Sequence, residues 1–300
     1  MTHGIAESAV AELPWSPAQF PAGQLTGIAI APNGDVITLD RGGRQWADHA
    51  LTTDVDAAVI GTWSPDGSVR RDGPTGQAMF GLPHAITCAG NDLWVTDCGR
   101  HQAFRLDAAG EVGCVLGKDR ESGDGPDRFG MPTAVAVGAD GRIFVTDGYL
   151  NARVSVFDPD GIFMYQFGAA GDGDGQFMLP HDLTIDVDET ILVADRMNRR
   201  LQRFDAEGRH LETIDDAAIG NPFSVATIGN HIIVLDCGFP TEHRAALVII
   251  NKDSGRIQRF AESGTPRGLV GPHALAVGPF GIYVADMVLG VRRFELKEGP

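Results

Sequence analysis

A short β-type run ending in aspartate recurs six times along the chain: VITLD to Asp40, LWVTD to Asp97, IFVTD to Asp147, ILVAD to Asp195, IIVLD to Asp236 and IYVAD to Asp286. Successive aspartates are 57, 50, 48, 41 and 50 residues apart. A second run lies upstream of each, beginning at Thr26, His84, Thr133, His181, Phe223 and His273. It starts 13 or 14 residues before its aspartate every time, and in five of the six units a proline precedes it. A third run generally follows the aspartate, as in ARVSVFD and RRLQRFD, and a fourth is visible in some units, such as GIFMYQFG at 161–168. Short β-branched runs broken by Gly, Asn, Asp and Pro every 8 to 12 residues or so indicate an all-β chain. Repeats of this length with about four strands each indicate propeller blades.

Six units therefore predict an all-β, six-bladed β-propeller. One domain is expected over 1–300, with blades at roughly 21–80, 81–130, 131–178, 179–220, 221–270 and 271–300. The last unit stops soon after its third strand, so its outer strand is expected from residues 8–20, closing the ring. The pattern of Pro-x-apolar-x-apolar, then a strand ending in Asp, then an Arg- or Asn-led strand resembles an NHL-repeat propeller.

Composition excludes several classes. No apolar run approaches the roughly 18 to 20 residues of a membrane-spanning helix, so no membrane partner is expected. The formal charge of −16 and pI near 4.8 oppose a phosphate backbone, and the basic residues are scattered, so no nucleic-acid partner is expected. The N-terminal stretch MTHGIAESAVAELPW lacks the basic start and apolar core of a secretory signal, and a cytoplasmic location follows as the expectation. The four cysteines, Cys88, Cys98, Cys114 and Cys237, form no CxxC pair and read as free thiols.

The register carries the chemistry. Equivalent positions of innermost strands lie at equal height around a propeller's channel, and histidine holds this position in units two, four and six. Alternate blades of a six-fold ring are about 120° apart, so His84, His181 and His273 should converge on the axis. Three imidazoles plus an open fourth position make a zinc site with room for a substrate. A single histidine there would more simply serve a strand start; three on alternating blades favour the metal. The other histidines fall outside the register, and His101, beside the Asp97 turn, reads as structural.

The repeated aspartates occur in all six units and read as turn carboxylates accepting backbone N–H groups. The residues after them differ from unit to unit: Arg41, Arg196 and, two beyond Asp147, Tyr149. Each alone would read as a solvated rim residue. Beside a metal, the arginines suit a substrate carboxylate and the tyrosine suits proton transfer. The Gly-rich segments ESGDGPDRFG and GAAGDGDGQF read as flexible loops of the same rim, since neither leads into a helix that could cradle phosphate.

At these residues the chain resembles the peptidyl-α-hydroxyglycine α-amidating lyases, six-bladed zinc propellers that split a carbinolamide into an amide and glyoxylate. The resemblance spans about residues 25–294 and is most specific in DRGGRQW (40–46), LPHAITCAGNDLWVTDCGRHQAFRLD (82–107), MPTAVAVGADGRIFVTDGYLNARVSVFDPDG (131–161), GQFMLPHDLTIDVDETILVADRMNRRLQRFD (175–205) and GPHALAV (271–277). It implies zinc ligands at His84, His181 and His273, the catalytic tyrosine at Tyr149, and active-site arginines at Arg41 and Arg196. Around the third ligand the family has Met-Pro-His-Asp where this chain has Gly271-Pro272-His273-Ala274. The absent aspartate is a ligand of the family's structural calcium, so the resemblance does not carry calcium over. The absent methionine belongs to the active-site wall, which implies a change in the small-molecule substrate. The implied activity is a zinc-dependent carbon–nitrogen lyase acting on a carboxylate-bearing carbinolamide, with Tyr149 as general base. Three alternatives stay open on sequence: a non-catalytic NHL-type interaction propeller, a calcium-dependent lactonase-like propeller, and a metal-dependent amide or lactone hydrolase. His, Thr and Phe in the channel register suit zinc better than calcium.

Overall fold

In the computed structural model, which describes residues 9–13, 24–50, 53–55, 59–68, 70–72, 80–238, 244–261, 264 and 268–297, the six repeats become six four-stranded sheets. Five are built from consecutive strands. The sixth takes its outer strand from Ala9–Leu13, which pairs antiparallel with Gly290–Lys297 and closes the ring as expected. The innermost strands are Leu25–Ile30, Pro83–Ala89, Pro132–Val137, Pro180–Ile185, Pro222–Ile228 and Pro272–Gly278. Each packs against the next and the last returns to the first, giving a six-bladed β-propeller.

The aspartate-ending runs are the second strands. Val36–Asp40, Ile143–Asp147, Ile191–Asp195 and His231–Asp236 are buried at every residue, because blades cover both of their faces. That is why they read as unbroken apolar stretches rather than as alternating ones. Outer strands such as Phe163–Phe167 show the alternation of a half-solvated edge. The core lies between blades: Val154 and Val156 of blade 3 pack with Phe177, Leu183, Val193 and Phe204 of blade 4.

All six repeated aspartates accept backbone N–H groups, as read from the repeat. Asp97 binds the amides of Gly81, Leu82 and Arg100, and Asp286 those of Val270, Gly271, Val288 and Leu289. Asp40, Asp147, Asp195 and Asp236 take Gly42, Gly130, Met178 and Asn221 respectively. In five blades the carboxylate thus ties the segment approaching the innermost strand to the end of the second, which holds the site face in shape.

Two local expectations need correcting. The Gly-rich segments are not loose loops, because each wraps an arginine from the start of a third strand. Arg153 binds Asp147 Oδ2 (3.1 Å) and the carbonyls of Asp124, Gly125 and Arg128. Arg200 binds Asp195 Oδ2 (2.8 Å) and the carbonyls of Asp172, Gly173 and Gln176. Those carbonyls have no ladder partner, so a buried guanidinium satisfies them. The second correction concerns the register residues: they are the second, not the first, of each innermost strand. Every one sits where the pairing register slips, between Leu25/Gly27, Pro83/Ala85, Pro132/Ala134, Pro180/Asp182, Pro222/Ser224 and Pro272/Ala274. A β-bulge leaves its extra residue unpaired and re-aims its side chain.

Candidate metal centre

The bulges turn His84, His181 and His273 toward one another. They are 1%, 2% and 5% exposed, their ring centroids are 4.9, 4.8 and 5.3 Å apart, and one nitrogen of each lies within 4.8 Å of the others. Among the described residues this is a group of three that could hold a metal ion.

The tautomer follows from the neighbouring blade. His84 Nδ1 lies 2.7 Å from the carbonyl of Thr133, His181 Nδ1 2.6 Å from that of Phe223, and His273 Nδ1 2.7 Å from that of Thr26. A carbonyl only accepts, so each Nδ1 carries the proton and each neutral ring presents an Nε2 lone pair. A backbone carbonyl on the far nitrogen is the arrangement that orients a metal-binding imidazole. Burial keeps the rings neutral: it pushes His84 and His181 well below the ordinary histidine range and His273 down to about 3, with neighbouring imidazoles and arginines adding to it.

Tyr149 joins this cluster. Its hydroxyl is 3.0 Å from His84 Nε2 and 3.1 Å from His181 Nε2. One phenolic proton can serve only one of these imidazole acceptors, while Arg196 donates a hydrogen bond to the phenol oxygen. A donor set so short of protons, fixed in tautomer and buried, fits a borderline-soft divalent cation such as zinc. Gly148 makes the placement of Tyr149 possible, since a Cβ there would fall 2.0 Å from the Pro180 carbonyl, next to His181. Burial raises the tyrosine's pKa, while Arg196 and Arg41 pull it down.

The two arginines are less solvated than rim residues would be. Arg41 is 2% exposed and touches the Pro83 carbonyl (3.4 Å) and the Gln24 side chain; burial lowers its pKa. Arg196 stacks on Phe223, with its guanidinium carbon 3.9 Å from the ring centroid, and its Nε is buried without a hydrogen-bond partner. No ion pair is made by either among the described residues, unlike Arg153, Arg200 and Arg259, which sit on the repeated aspartates. A buried and a half-buried guanidinium group, neither paired with a carboxylate among the described residues, thus stand beside three imidazoles, a charge arrangement suited to an anion.

Sequence reasoning left three residues here without a role. Trp46 lies 4.4 Å from the Tyr149 ring and covers it, with Arg41 above its own ring at 5.3 Å. It sits in a 3-10 turn outside the repeat. Phe223 holds the histidine register position without being a ligand; it floors Arg196 and packs on His181 (4.6 Å). Asp182, after His181, accepts from Ser224 Oγ (2.5 Å) and the Val225 amide (3.0 Å), and Ser224 Oγ accepts from Leu275 N–H (3.1 Å). This relay stitches blades 4, 5 and 6 along the channel; burial raises Asp182 to about 6.

Fold and centre together define a class: a six-bladed β-propeller with three convergent histidines at one end of its channel. The family described as 6-bladed beta-propeller matches residues 135–215. A Caenorhabditis elegans protein named as a probable peptidyl-α-hydroxyglycine α-amidating lyase is 32% identical, over 92% of this chain and 83% of its own length. The chain belongs to the peptidyl-α-hydroxyglycine α-amidating lyase family. The Xenopus laevis peptidyl-glycine α-amidating monooxygenase B is 30% identical over 91% of this chain, which spans only 34% of that longer protein. A solved gluconolactonase from Xanthomonas campestris shares the fold, with a TM-score of 0.64 at 14% identity, over 98% of this chain and 91% of its own. Among the described residues no disulfide joins the four cysteines.

Proposed function

We propose that the protein is a zinc-dependent lyase that cleaves the C–N bond of an N-acyl-α-hydroxyglycine or a related carbinolamide, giving an amide and glyoxylate. The observation that carries this reading is the convergence of three Nε2 lone pairs and the Tyr149 hydroxyl beside two guanidinium groups that lack carboxylates. Membership of an amidating-lyase family supports it.

His84, His181 and His273 would hold the zinc. Bound zinc supplies Lewis acidity that lowers the pKa of a nearby hydroxyl by several units. Arg41 and Arg196 grip the substrate carboxylate; Arg196 is fixed by stacking on Phe223 and by its hydrogen bond to the Tyr149 hydroxyl, and its Nε has no partner to give up. Tyr149, in the phenolate form that both arginines favour against the larger opposing effect of burial, accepts the carbinol proton as general base. The electron pair of that O–H bond becomes the new C=O, the C–N bond breaks, and Tyr149 returns the proton to the departing nitrogen. Trp46 covers the phenol ring and keeps bulk water from it.

Zinc-loaded protein should convert N-benzoyl-α-hydroxyglycine in 18O-water to glyoxylate and to benzamide without label in its amide oxygen, and a His181→Ala variant should lose both zinc and turnover. Benzoate carrying solvent oxygen would instead identify a hydrolase, and an unchanged substrate with zinc present would remove the lyase assignment.

A further inference from the structure

The cleft between blades 3 and 4, on the histidine face, contains a cavity of about 720 Å³. Tyr149 forms part of its wall, so the cleft and the metal centre share a residue. Its other walls are unusual for a propeller rim. Leu150, Met178 and Met197 are 61%, 49% and 37% exposed, while Phe177 and Leu179 line it alongside them. Of the polar groups in the same wall, Asn151 and Arg153 are already engaged, and the exposed Asp124 adds a carboxylate. Asn151 is spent on the Gly123 carbonyl and Asp147. Arg153 is spent on Asp147, Gln166 and three loop carbonyls. The cleft therefore offers a ligand mostly apolar surface, with one carboxylate, Asp124, that opposes an anionic ligand.

Its placement relative to the head-group residues is set by the chain itself. Leu150 follows Tyr149 and Met197 follows Arg196. The Arg196 and Met197 amides bind the Leu179 and Met178 carbonyls at 3.2 and 2.9 Å, which fastens the two loops of blade 4 side by side. Leu179 adopts a left-handed backbone (φ 68°) to do so, a conformation unfavourable for a branched side chain and retained where the surroundings impose it. A ligand whose carboxylate meets Arg196 and whose hydroxyl meets Tyr149 thus has apolar side chains one residue further out on both loops. Methionines are flexible and polarizable, which suits a wall that must accept apolar groups of several shapes.

We infer that this cleft is the subsite for the acyl half of the substrate, and that the acyl group is apolar: a fatty acyl chain, or an aminoacyl residue with a large apolar side chain. The inference rests on the lyase reading for the orientation of the head group, but its test does not depend on turnover.

Affinity for the unreactive ligands N-octanoylglycine, N-acetyl-phenylalanyl-glycine, N-acetylglycine and N-succinylglycine would be measured by calorimetry on zinc-loaded protein. Measurements of kcat/KM on the matching α-hydroxyglycines would run alongside. With each buried methylene worth about fourfold in affinity and part of the chain covered, at least one apolar ligand should bind about 10- to 100-fold more tightly than N-acetylglycine. N-Succinylglycine should show no such gain. In a Met178→Glu/Met197→Glu variant, whose changes lie on exposed side chains, the apolar-to-acetyl ratio should collapse toward one. Which of the two apolar ligands gains more identifies a fatty acyl or an aminoacyl source. Should every hydroxyglycine resist turnover while the binding ratio is high and collapses in the variant, the lyase reading fails and this inference stands. Turnover that proceeds with equal kcat/KM for all acyl groups, or a binding ratio that survives the double substitution, overturns the inference and leaves the lyase reading intact.

Discussion

Replacing Tyr149 by phenylalanine removes a single oxygen from the centre of the site. That oxygen sits 3.0 and 3.1 Å from two imidazole nitrogens, while the ring's own packing against Trp46, 4.4 Å away, is kept. The folded state loses the bond the hydroxyl donates and the one it accepts from Arg196, about 1 kcal/mol each, so the urea midpoint should move only modestly. Both arginines remain, so carboxylate binding persists and KM should change by about threefold or less. The loss falls on the proton transfers to and from the substrate, which a positioned general base accelerates by about 10²- to 10⁴-fold, equivalent to about 2.7–5.4 kcal/mol of barrier. Turnover of N-benzoyl-α-hydroxyglycine, measured with zinc content by mass spectrometry on the same preparation, should therefore fall by that factor at full metal load. A kcat within about threefold of the parent protein, with zinc intact, would refute the assignment. Loss of zinc together with activity would assign the hydroxyl to metal binding instead.

Two further outcomes concern stability. Asp195→Ala deletes a fully buried carboxylate that accepts from the Met178 amide, Asn198, Arg200 and Gln202, and it leaves the buried Arg200 with carbonyls alone. Removal of one partner from a buried pair costs about 3–5 kcal/mol, readable in urea unfolding; a loss under about 1 kcal/mol would contradict the role given to the repeated aspartates. The metal-stripped protein should be acid-sensitive. The unfolded chain protonates its three site imidazoles below about pH 6.5, whereas the folded rings are held far lower, His273 to about 3. The unfolded state then binds more protons, so stability present above pH 6.5 drains as pH falls, by about 1.4 kcal/mol per unit for each ring. Equal urea midpoints at pH 7.5 and 5.5 would contradict this.

The repeat made the architecture legible, because a propeller imposes one length and one register on every unit. Three of the six register residues being histidine was enough to assemble the centre in advance of coordinates. What stayed hidden depends on contacts between units. The bulge at each register position is invisible in composition, and the offset of one residue in strand starts follows from it. Trp46 lies in a turn that no repeat predicts. The burial of Arg41 and the stacking of Arg196 on Phe223 need blades 1, 4 and 5 in place. The Gly-rich segments read as loose because nothing local marks the arginines, 24 to 29 positions further along, that bind their carbonyls.

The pairing of Ala9–Leu13 with Gly290–Lys297 has a bearing on biosynthesis. The first of these segments leaves the ribosome before any of the six repeats, and its partner only at the end of the sixth. Until then the nascent polypeptide holds an orphan β-edge that can recruit a neighbouring chain, and annealing so distant a pair is slow. A circular permutant opened between two other blades would shift that vulnerable seam elsewhere and should emerge with a different tendency to aggregate during translation.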